Sequence, residues 1–261
     1  MKISILTLFP EMYENFLNSS IIGRSISRGI VDIELVNIRD FSKDKTKRVD
    51  DRPIGGGAGL IMKLEPLVAA LRSVKTKESH IVLLAPTGKH YAHETACDYS
   101  SKKHLIIVCG HYEGIDFRFE KYVDEIVSIG DYVLTGGELA SMVIVDSVVR
   151  LLPGAISEES TVDESFTDEN LLEYPQYTFP IVFEGKSVPN ILLTGNHEAV
   201  DYYHKKQAIK LTIERRPDLL KNRVWNEVER KMINEIKTGE LSAIEKTALD
   251  NAARFLHKYK E

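Results

Sequence analysis

Leu105-Ile106-Ile107-Val108-Cys109 runs directly into Gly110-His111-Tyr112-Glu113-Gly114-Ile115-Asp116. The first five residues are all apolar, and glycine closes the run. A short, continuous apolar stretch of this kind suits a strand buried on both faces, the habit of parallel sheets covered by helices. Ile81–Ala85 repeats the pattern ahead of Pro86, and Val123–Ile129 reads as another strand. Working outward, Lys2–Leu8 is a β-rich run ended by Phe9-Pro10, Glu11–Arg28 has helical spacing, and Ile30–Ile38 alternates as a strand. Leu64–Val74 reads as a short helix, and Gly137–Leu152 as a longer one with Leu139, Met142, Val143 and Val149 on its apolar side. Alternating strands and helices imply an α/β domain with a mostly parallel sheet.

After Pro153-Gly154 the character changes. From Glu158 to Glu173 there are seven acidic residues and no Lys or Arg, which marks a linker. Beyond it, His197–Arg215, Val224–Lys237 and Ala243–His257 read as helices. The expected organisation is therefore residues 1–156 as the α/β domain, 157–173 as a flexible acidic linker, and 174–261 as a smaller, mostly helical domain. The net charge of −5 argues against indiscriminate binding to nucleic acid, yet residues 201–261 carry 14 Lys and Arg against 10 Asp and Glu. No apolar stretch approaches the ~18 residues of a membrane span. Two lone cysteines, Cys97 and Cys109, suggest neither a disulfide framework nor a zinc site, so a reducing, cytoplasmic compartment is expected.

Four segments stand out against this background. Val49–Gly59 ends in Ile54-Gly55-Gly56-Gly57-Ala58-Gly59, a density of glycine that permits positive φ and close backbone approach to a ligand; a plain surface loop is the alternative. Cys109–Asp116 and Ser128–Leu139 each follow a strand. Ligands of open α/β sheets bind at the carboxyl ends of strands, so two such loops point to a site built from backbone. Neither is the dinucleotide pattern GxGxxG. The fourth segment, Tyr174-Pro175-Gln176-Tyr177-Thr178-Phe179-Pro180 with Leu192–His197, would by itself serve as stiff packing. The eight histidines show no metal-ligand spacing, and Cys109 at an apolar strand end reads as a small buried hydrophobe.

These segments, with Leu8-Phe9-Pro10-Glu11-Met12 and Arg215-Arg216-Pro217, resemble in order and spacing the bacterial tRNA (guanine-N1)-methyltransferases, which modify guanosine at tRNA position 37. The resemblance covers nearly the whole chain. It implies a deep trefoil-knotted α/β domain of the SPOUT type and a homodimer, neither of which periodicity shows; ordinary topology rules argue against any knot. It also implies S-adenosylmethionine as methyl donor, cradled by Leu84 and Pro86, by Gly110, Tyr112, Glu113 and Gly114, and by Ile129, Gly130, Asp131, Tyr132, Val133, Leu134 and Gly137. Glu113 would lie near the methionyl part. The expected partner is the tRNA anticodon stem-loop, with no membrane. A divalent ion, usually Mg²⁺, accompanies catalysis in the family, although no ligand cluster is visible and no metal residue is assigned.

The chemistry asks for two further groups. Guanine N1 carries a proton and needs a general base, a role worth roughly 10²–10⁴-fold. Charge then develops on O6, where a guanidinium helps. The family's arginine matches Arg150, otherwise an ordinary cation at a helix C-terminus. The family's Asp before Ser-Phe is replaced here: Val162-Asp163-Glu164-Ser165-Phe166 puts Glu164 first as base, Asp163 second and Asp168 third. Phe179 stands where the family commonly has Arg. Two other readings stay open, a related knotted enzyme acting on another RNA position and a noncatalytic RNA-binding module.

Overall fold

The computed structural model describes residues 1–157, 164–167 and 171–256, and the chain forms two compact units, Met1–Glu158 and Glu159–Glu261. Asp163 and Asp168 lie outside the described residues.

The first unit is an α/β fold around a five-stranded sheet. Its strands are β1 (Lys2–Thr7), β2 (Asp32–Asn37), β5 (Ser79–His90), β6 (His104–Cys109) and β7 (Glu125–Ser128), in the order β2-β1-β6-β5-β7. Every pairing is parallel. All six residues of β6 are buried, as the opening apolar run requires. Alternate side chains feed opposite faces. Leu105, Ile107 and Cys109 pack with Ile144, Val145 and Val148 of α5 (Glu138–Val149). Ile106 and Val108 pack with Leu67 and Leu71 of α3 (Leu64–Val74). Each layer thus buries one strand face, and β6 holds the middle.

The helix expected over Glu11–Arg28 is broken. Pro10–Tyr13 is a 3-10 turn, followed by α1 (Glu14–Asn18) and α2 (Ser20–Ser27). Asn18-Ser19-Ser20 explains the break, because short polar side chains compete for backbone groups and favour caps over helix interiors. Ser19 is extended, Ser20 has φ 53°, and Gly23 lets α2 close on Asn18, where a Cβ would meet the carbonyl carbon at 2.8 Å. The sequence also concealed α4 (His93–Ser100). Strand β5 runs on to His90 beyond Pro86 through a register shift in which both Leu84 and Lys89 pair with Val127. Residues 85–88 bulge out of the ladder there.

At the amino ends of the strands His104 is 4% exposed, with Nε2 2.9 Å from the Ser4 hydroxyl and Nδ1 2.8 Å from that of Ser79. Ser4 donates onward to Glu34, so its oxygen accepts from Nε2–H. Burial, with the Lys2 ammonium second, lowers the pKa of His104 below its ordinary value. A histidine depressed in the native state takes up its proton more readily when unfolded. Its stabilisation is therefore complete above the unfolded value of about 6.5 and is lost as pH falls through it. The expected result is a melting temperature for the first unit that drops between pH 7.5 and 5, less steeply in His104→Asn; superimposable profiles would refute this.

The second unit is mostly helical: α6 (His197–Arg215), α7 (Glu227–Thr238) and α8 (Ala243–Leu256), with a small hairpin of β8 (Val182–Phe183) and β9 (Lys186–Ser187). Asn196 caps α6 by accepting from Ala199 N–H, and Asn226 with Glu229 forms a capping box on α7. Leu171, Ile209 and Met232 form one core, flanked by Trp225, and Ile191, Ala199 and Ala248 another. No helix among the described residues is long and apolar enough to cross a membrane.

Candidate functional site

Where β5, β6 and β7 end, three loops enclose a cavity of about 480 Å³. Leu84 and Pro86 line it from the bulge of β5, and Gly110, Tyr112, Glu113 and Gly114 from the loop after β6. Ile129, Gly130, Tyr132, Val133, Leu134 and Gly137 line it from the segment between β7 and α5. Asp131, expected with them, is exposed and lies outside the lining.

The loops are locked by close backbone approach. Gly137 N–H donates to Gly110 O at 2.8 Å, and His111 bridges Gly136 in antiparallel fashion. A Cβ on Gly137 would sit 2.7 Å from Cys109 Cα, and one on Gly88 would sit 2.4 Å from Val127 N. Only glycine fits at either crossing. Tyr112 holds φ 60° between them, a strained setting for a bulky residue, of order 1–3 kcal/mol. Such strain persists only where surrounding contacts fix it. Here Glu113 N–H donates to Leu60 O, Met62 N–H to Gly114 O, and Asp116 N–H to Met62 O. The strand β4 (Ile61–Met62), paired with β3 (Asp50–Asp51), thus ties the Gly-rich segment 53–59 to the loop. Gly59 approaches so closely that its Cβ would overlap the Glu113 side chain.

Behind the wall lies a polar layer. Glu138, in the first turn of α5, is 2% exposed and accepts from the Thr7 hydroxyl at 2.8 Å. The Tyr13 hydroxyl is 2.6 Å from that of Ser141 and 3.5 Å from Cys109 Sγ. Burial raises the Tyr13 phenol, and burial with the nearby Glu138 pushes the Cys109 thiol up to about 12. Cys109 is therefore a packed, protonated side chain and not a nucleophile. Motif reading passed over Thr7, Tyr13 and His111, although Thr7 precedes Leu8-Phe9-Pro10 and His111 lies inside a quoted loop. His111 packs between Phe9 and Tyr112, with ring centroids 4.9 Å apart on each side, and its buried Nδ1 has no hydrogen-bond partner among the described residues.

One of the catalytic candidates, Arg150, stands apart from this cavity within the first unit. Arg150 is the C-cap of α5, at the opposite end from Gly137, and twelve helical residues place it about 18 Å along the axis. Glu164 belongs to the second unit, where its carbonyl accepts from Thr167 N–H and Oγ1. Glu173 N–H bonds the Ser165 hydroxyl, and Leu172 N–H that of Thr212. Among the described residues no group of three or more His, Cys, Asp or Glu is gathered to hold a metal.

Curated relatives share this architecture's sequence over most of their length. A tRNA (guanine-N(1)-)-methyltransferase of Clostridium botulinum (strain Eklund 17B / Type B) is 51% identical, covering 89% of this chain and 98% of the relative. One from Malacoplasma penetrans is 51% identical over 84% and 96%, and one from Dictyoglomus turgidum 45% over 91% and 97%. The family model described as tRNA (Guanine-1)-methyltransferase TrmD matches residues 1–222, a span that takes in the sheet, the cavity and its locking glycines, and the chain belongs to that family.

Proposed function

We propose that the cavity of the first unit binds S-adenosylmethionine and that the chain methylates N1 of guanosine 37 in the tRNA anticodon loop. Methylation of tRNA at guanine N1 is the family's reaction; the position and the roles of individual residues are our reading. The observation that carries it is the cavity itself, lined by three strand-end loops whose glycines let backbone segments approach closely. Ile129, Gly130, Tyr132, Val133 and Leu134 read the adenine edge, and Glu113 lies toward the methionyl end. When bound, the cofactor supplies an electrophilic methyl group on its sulfonium. Glu164 accepts the N1 proton, with Asp163 and then Asp168 as the other candidates, and the Arg150 guanidinium stabilises the charge left on O6. The target base leaves its stack to be reached. No residue is assigned to Mg²⁺.

The reading includes the deep knot of the SPOUT type. It includes a first domain over residues 1–156, a linker over 157–173 and a tRNA-binding domain over 174–261. It also includes a homodimer in the cytoplasm. Two features support the dimer: Val133, Leu139 and Val143 leave an exposed apolar surface, and Arg150 lies far along α5 from its own cavity. A second copy covers the one and brings the other into reach.

Digestion of tRNA methylated by the purified enzyme, followed by mass spectrometry, should show 1-methylguanosine in the fragment containing position 37; methylation at any other nucleotide would overturn the assignment. The basic helices of the second unit hold tRNA phosphates. Arg216 is tied to Asp218 by bonds of 2.9 and 2.7 Å, while Arg215 ends α6 exposed. Arg215→Glu should therefore weaken tRNA binding more than Arg216→Glu, with cofactor affinity unchanged in both. Equal tRNA affinity in wild type and variants, measured by filter binding, would remove these residues from the interface.

A further inference from the structure

Just outside the cofactor cavity, at the Tyr112 hydroxyl, stands a cation that no carboxylate neutralises. The sheet register puts it there. Thr7 of β1 pairs with Asn37 of β2, and Leu6 of β1 with Val108 of β6. All three strands are parallel neighbours, so Phe9, Arg39 and His111 leave the same edge of the sheet side by side. Asn37 fixes the exit of β2 by accepting from Arg39 N–H at 3.0 Å, and the buried Ile38 anchors the 3-10 turn that follows. The Arg39 side chain, on a partly buried residue, lies over the Phe9 ring at 6.0 Å and donates to the Tyr112 hydroxyl at 3.4 Å. Phe9 packs on His111, and His111 on Tyr112. No carboxylate lies within ion-pair distance of the guanidinium among the described residues. Asp40 beside it is taken by Lys47 at 2.7 Å, Asp50 and Asp51 face Arg48 and Lys63, and the Glu113 side chain packs against Gly59.

A guanidinium taken partly out of water costs free energy, and such charges are ordinarily paired. Here an aromatic face and a phenol hold Arg39 in place without cancelling its charge, and most of its N–H donors stay unused. We propose that Arg39 is a substrate-positioning residue whose guanidinium grips a phosphate flanking the guanosine to be methylated. The proposal rests on the functional reading above and adds a residue to that site. Two arguments choose the RNA backbone over the cofactor's carboxylate. Tyr112 lines the cavity and Arg39 does not, so a molecule seated inside meets the tyrosine and not the guanidinium. A base that enters the cavity leaves its ribose and phosphates at the rim, where Arg39 stands. The planar fork of a guanidinium matches two phosphate oxygens, and the capped turn at Asn37 orients it before the RNA arrives.

In the full chain, Arg39→Gln should lower kcat/KM for tRNA roughly 10- to 100-fold, the range of a hydrogen bond to a charged group. The slope of log affinity against log salt should fall by about one. Arg39→Lys keeps the charge and should restore the slope, while recovering only part of kcat/KM because an ammonium lacks the fork. S-adenosylmethionine affinity, as the control for folding, should stay at the wild-type value in both. The phosphate is located with tRNA carrying a single neutral methylphosphonate, either flanking guanosine 37 or farther along the anticodon loop. One flanking replacement should cost wild type as much as Arg39→Gln does and cost that variant nothing more, whereas the distant one costs both alike. Additive losses at both flanking positions, or wild-type kcat/KM and salt slope in Arg39→Gln, would overturn the proposal. Weakened S-adenosylmethionine binding with an unchanged salt slope would overturn it too, by giving the guanidinium to the cofactor's carboxylate. Failure of wild type itself to methylate tRNA would instead strike the functional reading.

Discussion

Gly137→Ala should abolish cofactor binding at ordinary concentrations and destabilise the first unit. The backbone at Gly137 is an unremarkable helical one, φ −79° and ψ −7°, so the added methyl meets no dihedral penalty. The penalty is contact. Carbon atoms pack best at about 3.5–4.0 Å, and this Cβ would stand 2.7 Å from Cys109 Cα and 3.0 Å from Gly110 N. Both are backbone atoms of the buried central strand or its first loop residue, so no side chain can swing away. Overpacking of this kind costs roughly 1–3 kcal/mol or more. A displacement near 1 Å between the loops costs on the order of 10²-fold in a preorganised site. Gly110→Ala is the contrast: its nearest contact would be an ordinary 3.5 Å, and stability should hold. Calorimetric titration with S-adenosylmethionine beside thermal melts reads both. Wild-type affinity in Gly137→Ala would mean that the loops are not locked where they cross.

The second large effect is expected in the other unit. Lys206, on α6, is 5% exposed and pairs with Glu245 of α8, itself 0% exposed, and with Glu235 of α7 at 3.5 Å. Tyr202 donates to Glu235 at 3.1 Å and Ser242 N–H to Glu245 at 2.8 Å. One ammonium thus joins three helices. Removing a single partner of a buried ion pair leaves an uncompensated charge and costs about 3–5 kcal/mol, whereas exchanging the set for apolar residues is often neutral. Lys206→Met should lose that much. Lys206→Met/Glu245→Leu should lose less despite carrying two changes. The chain has one tryptophan, Trp225, packed beside the core of this unit, so its fluorescence during urea unfolding isolates the effect. A loss below about 1 kcal/mol for Lys206→Met would show the pair to be solvated.

Such features mark where sequence reading stops. The parallel strands were legible because burial on both faces leaves continuous apolar runs, and Leu105–Cys109 could hardly be anything else. Helix α6 was legible over its whole span, His197–Arg215. The strand-end loops announced a backbone-lined site through their glycines. Lys206, by contrast, looks like any surface lysine on a basic helix, because pairing with Glu245 and Glu235 depends on α7 and α8 arriving at the same place. The break after Asn18 is a contest between apolar spacing and local capping, which periodicity cannot referee. The bulge in β5 hides because Pro86 normally ends a strand; here residues 85–88 leave the ladder and the pairing resumes at Lys89. Glycines 88 and 137 work by close approach to Val127 and Cys109, segments that only the fold brings beside them.

The direct test is methyl transfer from labelled S-adenosylmethionine to two tRNA transcripts, one with guanosine and one with adenosine at position 37. Wild type is assayed beside Glu164→Gln, Asp163→Asn and Arg150→Ala. The expected result is transfer to the guanosine transcript alone, with Glu164→Gln reducing it by about 10²–10⁴-fold and Arg150→Ala by about 10²–10³-fold. Equal labelling of both transcripts, or none of either by an enzyme that still binds the cofactor, would contradict the account.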